Sequence, residues 1–314
     1  DRADALRAEH RKLDEVLRRQ ILDIHCFNDI ILEAPKHHSI GITVNSLDYK
    51  EEIIQCPIDH AGNTIPIYTY STENSPYPPT IITNDIGEEI TALNTIITAL
   101  KQHQVNIYVF EPMQSAAASF GDICNNFTQV IALVKNLEPS SKPIVVTQGI
   151  SCICVLKTAQ LLAQFIGHLA FFAPALFLYK KASSIEYYLL KAITQAFPQI
   201  IPPRFLHSNI IEASVEKSPN ISAHLTLDLI NSIPQARKKL SRIVIPCLIA
   251  YPSESPNWKH GVVKRLKNKR GNNDKLSLCA LEQKTSHLIS NQNHLIVENC
   301  VNKLLSWVNK SKEV

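Results

Sequence analysis

The stretch IVVTQGISCICVLKTAQ (144–160) holds the residues best spaced for chemistry. A β-branched run passes into Gly149-Ile150-Ser151-Cys152-Ile153 and then into a helix-forming segment. A sharp strand-to-helix turn lifts a serine hydroxyl above the C-terminal edge of a sheet, where it can attack an acyl carbon. The following backbone N–H, at the helix N-terminus, can hold the oxyanion that results. The ordinary alternative for Gly-x-Ser before a helix is an N-cap serine. The full motif is Gly-x-Ser-x-Gly, and with Ser151 as nucleophile its last small position falls on Ile153, where a β-branched side chain should crowd the approach of helix to strand.

A serine of this kind needs a base and an acid. KLSLCALEQKTSHLISNQ (275–292) offers His287 just after the last β-rich run, with His294 as a weaker alternative. The loop YPSESPNW (251–258) offers Glu254, which is either a triad carboxylate or a solvated surface group. A metal centre built from His37, His38, Asp59 and His60 lacks any spaced ligand pattern, so neither metal nor cofactor is expected. Cys152-x-Cys154 reads as packing. The eight cysteines include no CxxC pair and sit mostly in apolar runs, which fits reduced thiols and a cytoplasmic location.

The elements that would position these groups follow from periodicity. Residues 1–36 read as an amphipathic arm, with Leu6, Leu13, Leu17, Ile21, Ile24, Phe27 and Ile31 near helical spacing and five of the chain's ten arginines. A native arm and a fusion-derived segment both remain open for it. Short β-rich runs follow: SIGITV, EEIIQCPI and TIPIYTY. Beyond NSPYPP, apolar runs alternate with helices: PTIIT, a helix over 88–103, VNIYVF, a helix over 121–136, KPIVVT, a helix over 151–165, then HLAFFAPAL. Such alternation marks a mostly parallel sheet with helices on both faces. Residues 183–240 break the rhythm and read as a helical cap inserted into a core of 39–182 and 241–314. The core resumes with RIVIPCLIAY, a helix near 258–267, KLSLCAL and a helix over 293–308.

A net charge of +4 is too small and too dispersed for a nucleic-acid surface. The apolar runs are shorter than a bilayer span. The basic run 264–270 (KRLKNKR) is either a solvated helix end or a contact for an acidic partner. Eight glycines in 314 residues is about a third of average usage, which implies that sharp functional turns have been lost.

From Glu51 to Asn309 the order of these segments resembles the monoacylglycerol lipase and lysophospholipase group of α/β-hydrolases, related to serine aminopeptidase-like enzymes. In PTIITNDIGEE (79–89), Asn84-Asp85 stand where that group has His-Gly, while Gly87 and Glu88 match. VNIYVFEPMQSAAAS (105–119) keeps an acid at Glu111 without the group's arginine and glycines, and FGDICNNFTQVIALV and FFAPAL match framework segments. The resemblance implies an α/β-hydrolase fold with a helical cap and an extra N-terminal helix. It also implies Ser151 as nucleophile, His287 as base, Ser255 at the acid position with Glu254 beside it, and an oxyanion hole from the N–H groups of Cys152 and Ile86. Asp85 would bring the wrong charge to that hole. Two functions are therefore expected. One is a non-catalytic scaffold that contacts a protein partner through the N-terminal helix or 264–270. The other is a serine ester hydrolase using Ser151 and His287.

Overall fold

The fold is taken from a computed structural model that describes residues 49–59, 61–115, 118–176, 184–202, 221–254, 265, 268, 275–281 and 294–311. The N-terminal arm, SIGITV, Ser255, His287 and most of the helix expected near 258–267 lie outside the described residues. Eight strands form one sheet in the order β1-β2-β4-β3-β5-β6-β7-β8. They are β1 (Lys50–Pro57), β2 (Thr64–Ser71), β3 (Thr80–Ile82), β4 (Ile107–Phe110), β5 (Ile144–Gln148), β6 (His168–Phe172), β7 (Cys247–Pro252) and β8 (Leu276–Leu281). β1–β2 and β2–β4 pair antiparallel, and every other neighbouring pair is parallel.

Burial explains which sequence patterns became which strands. β3, β5, β6 and β7 are buried at every position, as expected of central parallel strands with both faces covered. β1 alternates and is exposed at Lys50 and Glu51, charges that protect an edge strand from pairing further.

Six α-helices are described: α1 (Asn94–Gln102), α2 (Phe120–Leu137), α3 (Ser151–Ala159), α4 (Ser184–Ala196), α5 (Ala223–Leu240) and α6 (His294–Ser311). The expected 88–103 helix begins as α only at Asn94, after a 3-10 turn over Ile90–Leu93, because Glu88 is tied into the loop by its N–H donating to the Asp85 carbonyl (3.1 Å). α2 starts on a capping box: the Ser119 hydroxyl accepts from the Asp122 N–H, and the Asp122 carboxylate accepts from the Ser119 N–H. α3 is shorter than the 151–165 expected; beyond Ala159 the chain continues in turns, with the Leu161 and Leu162 N–H groups both donating to the Thr158 carbonyl. α4 and α5 both fall between β6 and β7, within the segment read as a cap. α5 carries Pro234 inside it and packs on α3. At the opposite end of the sheet, His168 Nε2 lies 2.6 Å from Ser311 Oγ and its ring meets Trp307 edge-on, so α6 is fastened to the start of β6.

Candidate functional site

β5 ends at Gln148 and α3 begins at Ser151, so the strand-to-helix turn consists of Gly149 and Ile150. The turning residue is Gly149, with φ +58°. Its backbone stays bonded to the end of β6 and the residues after it: its N–H donates to the Phe172 carbonyl (3.1 Å) and its carbonyl accepts from the Ala175 N–H (2.9 Å). An L-residue with a side chain at this φ would cost about 1–2 kcal/mol, which glycine avoids.

The space above Gly149 is filled by the Asp85 carboxylate. A Cβ built on Gly149 would lie 1.9 Å from Asp85 Oδ2 and 2.5 Å from its Cγ. The other oxygen, Oδ1, accepts from the N–H groups of Ile150 (2.7 Å), Ile86 (2.8 Å) and Ser151 (3.3 Å). A carboxylate suits this place, since the first N–H groups of α3 have no intrahelical partner and carry the positive end of the helix dipole. The loop that delivers Asp85 is closed on itself: the Asp85 N–H donates to Glu88 Oε2 (3.3 Å), and the Asn84 amide donates to the Glu88 carbonyl.

An oxyanion hole of this architecture uses the N–H after the nucleophile and an N–H from the loop following β3. Ile150 and Ile86 stand in those relations to a turn centred on Gly149, and both point at Asp85 Oδ1. Counting from Gly149, the motif frame falls on Thr147-Gln148-Gly149-Ile150-Ser151, two residues earlier than the sequence placed it.

Ser151 therefore sits where the frame has its last small residue. It is fully buried, and its hydroxyl donates to the Asn84 carbonyl at 2.9 Å, joining α3 to the chain just beyond β3. Ile153 does not crowd the strand as expected; it is buried and, with Phe120 of α2, Lys157 of α3 and Ser232 and Ala236 of α5, lines a small cavity. Cys152, expected to supply an oxyanion donor, is not among the residues whose N–H groups gather on Asp85; Ile150 takes that place. Its thiol is buried beside the Thr147 hydroxyl (3.2 Å), and burial, with Asp85 adding to it, pushes its pKa well up. Ile86, the other residue expected to supply an oxyanion donor, gives its N–H to Asp85 Oδ1.

Glu254 is exposed and follows β7, where the acid was sought; Ser253 beside it donates its N–H to the Leu281 carbonyl (2.8 Å). His294 opens α6 with Nδ1 3.7 Å from Glu298 Oε2, an exposed pair within one helix. Glu111, just beyond β4, has its pKa raised by burial first and then by Glu89. Of the basic run, only Arg265 and Asn268 are described, and Arg265 adds to burial in lowering the Arg237 pKa. Among the described residues no group of His, Cys, Asp and Glu is arranged to hold a metal ion, and no helix is long and apolar enough to cross a membrane.

The fold as a whole is similar to that of solved structures. A monoacylglycerol lipase from Paleococcus ferrophilus is similar over 78% of this chain and 98% of its own, with a TM-score of 0.59 at 15% identity. The chain has the α/β-hydrolase fold. A thermostable carboxyl esterase from Bacillus coagulans gives a TM-score of 0.63 at 9% identity over 84% of this chain and 99% of its own. Est1E from Butyrivibrio proteoclasticus gives 0.56 at 11% over 82% and 99%. No protein-family model matches the chain, and no curated protein matches it by sequence. At these identities the α/β-hydrolase likeness concerns architecture, and chemistry has to be argued from the elbow itself.

The re-registered elbow was the part that sequence reasoning missed. The signal available was that Gly149 directly follows the β-branched run, so that a positive φ, if needed at the turn, would fall on the glycine.

Proposed function

We propose that this α/β-hydrolase-fold chain does not hydrolyse esters at its elbow and instead acts by contacting a protein partner. The observation that carries the first half is the Asp85 carboxylate bonded to the N–H groups of Ile150 and Ile86 above a turn residue, Gly149, that has no side chain. Removing one oxyanion donor costs roughly 10²–10³ in rate. With both donors committed to a fixed anion, and no nucleophile at the apex, little hydrolysis remains. Contact with a protein partner rests on the sequence alone, through the amphipathic arm of 1–36 or the basic run 264–270.

A second reading is favoured by the lipase and esterase structures that share the fold. In it Ser151 attacks, His287 is the base, Glu254 orients it, and Ile86 and Cys152 hold the oxyanion. It requires Ser151 to leave the Asn84 carbonyl and become exposed, and Asp85 to withdraw.

Turnover of p-nitrophenyl butyrate separates the two. The proposal expects native protein and Ser151→Ala to be equally inactive; turnover that Ser151→Ala abolishes establishes the second reading.

A further inference from the structure

We propose that the outward face of α4 is a self-association surface, on which a second copy of this chain packs to form a symmetric dimer. This does not depend on whether the elbow hydrolyses esters. α4 is held to α5 by one face: Leu190 is buried, the Tyr187 hydroxyl donates to Asn231 Oδ1 (3.2 Å), and the Thr194 hydroxyl donates to the Ala223 carbonyl (3.2 Å). A surface helix ordinarily turns polar residues to the opposite side. α4 does the reverse. Ile185, Tyr188, Leu189, Ala192 and Ala196 repeat at helical spacing and are all exposed, Ile185 at 80%. Phe197, Ile200 and Ile201 extend the exposed apolar surface past the helix end. The turn that carries them is pinned, with the Phe197 N–H donating to the Ile193 carbonyl (2.7 Å) and the Ala223 N–H to the Ile200 carbonyl (2.7 Å). The other strongly exposed large apolar residues among those described, Ile53, Leu137, Val244 and Leu295, stand singly in four other segments.

Area, charge and shape point to a second copy as the occupant. The six large residues from Ile185 to Ile201 are between 43% and 80% exposed, which at about 150–200 Å² for a fully exposed side chain of this size comes to roughly 500–700 Å². That is at or beyond what a monomer ordinarily leaves exposed in one patch. It approaches the roughly 800 Å² per partner of a stable interface, with Ala192, Gln195 and Ala196 exposed beside it. The charged residues of α4 are Glu186 and Lys191, one of each sign. The helix therefore lacks the basic polar face that draws a helix onto an anionic bilayer, and two copies of so neutral a face meet without like-charge repulsion. Ala192 and Ala196 let another helix approach closely, and an apolar stripe at this spacing is what packs helix on helix. The same patch on both chains closes into a two-fold dimer that leaves no copy of it uncovered.

The test is sedimentation equilibrium on the full chain over about 1–100 μM, the range in which an interface of modest size is populated. Native protein is expected at twice the 35.2 kDa chain mass, with a Tm that rises with protein concentration. Tyr188→Glu combined with Leu189→Glu should weaken the dimer at least about tenfold while keeping the native circular dichroism, since both side chains are exposed within one chain. Ile185→Glu should do the same, and serves if the double variant does not fold. Leu295→Glu, on an exposed residue of α6, should leave the dimer intact. Native protein at the chain mass throughout, or a dimer that the α4 variants leave unchanged, overturns the proposal. So does a native monomer that dimerises only when residues 1–36 are deleted, which makes the arm the occupant. A native monomer that binds neutral phosphatidylcholine vesicles through Tyr188 and Leu189 overturns it in favour of a lipid surface.

Discussion

Adding one methyl group at Gly149 tests the elbow directly. In Gly149→Ala the new Cβ would sit 1.9 Å from Asp85 Oδ2, far inside van der Waals contact, while the backbone remains at φ +58°. The left-handed backbone alone costs about 1–2 kcal/mol. The carboxylate must also move off its three N–H groups; bonds to a charged group contribute about 1.5–3 kcal/mol each, and partial solvent access to Asp85 lets water replace some of them, so about 2 kcal/mol is a reasonable share. The sum, about 3–4 kcal/mol, is a large part of the roughly 5–15 kcal/mol that holds a typical protein together. At about 2–4 °C per kcal/mol for a domain of this size, Tm should fall by roughly 6–16 °C. Thermal unfolding followed by circular dichroism measures the fall in Tm, and urea unfolding the loss in free energy. Repeating the change in an Asp85→Gly background removes the clash and leaves the backbone strain, so the cost should drop by about 2 kcal/mol, the coupling expected of residues in contact. A loss below about 0.5 kcal/mol in native protein, or equal losses in both backgrounds, would refute the reasoning.

Other substitutions probe the elements around the site. Glu111 has a folded pKa above its ordinary value of 4.5, so the protonated form favours the fold; its contribution is fully present below about pH 4.5 and is lost as pH rises through the raised value. Glu111→Gln should therefore flatten the decline in urea midpoint toward neutral pH. Ala173 holds φ +44° immediately before Pro174; Ala173→Gly relieves the left-handed strain against a smaller entropic cost, for a gain of up to about 1 kcal/mol in thermal unfolding. Ser119→Ala removes the capping box of α2 and should cost about 1 kcal/mol in urea unfolding.

Much of the architecture was legible in the chain because it follows from burial. VNIYVF and KPIVVT are continuous apolar runs that became the central strands β4 and β5, and TIPIYTY became β2 with its alternation intact. The basic patterns of α2 and α6 were also readable, to within a few residues. The elbow was not, for a physical reason. Gly-x-Ser in front of a helix fits two registers, and choosing between them requires knowing which residue adopts positive φ, a property of the turn's backbone rather than of residue type. The wrong sign of Asp85 near the hole was visible in the sequence. That its carboxylate would accept from the N–H groups of Ile150 and Ser151 in another segment depends on how the β3 loop and α3 meet.

The central claim, that no nucleophile stands at the elbow apex and that Ser151 is buried beneath it, is tested most directly by intact-mass spectrometry after incubation with a fluorophosphonate probe. The account predicts that native protein keeps its unmodified mass, as Ser151→Ala does. A stoichiometric adduct on native protein that maps to Ser151 and disappears in Ser151→Ala would contradict it.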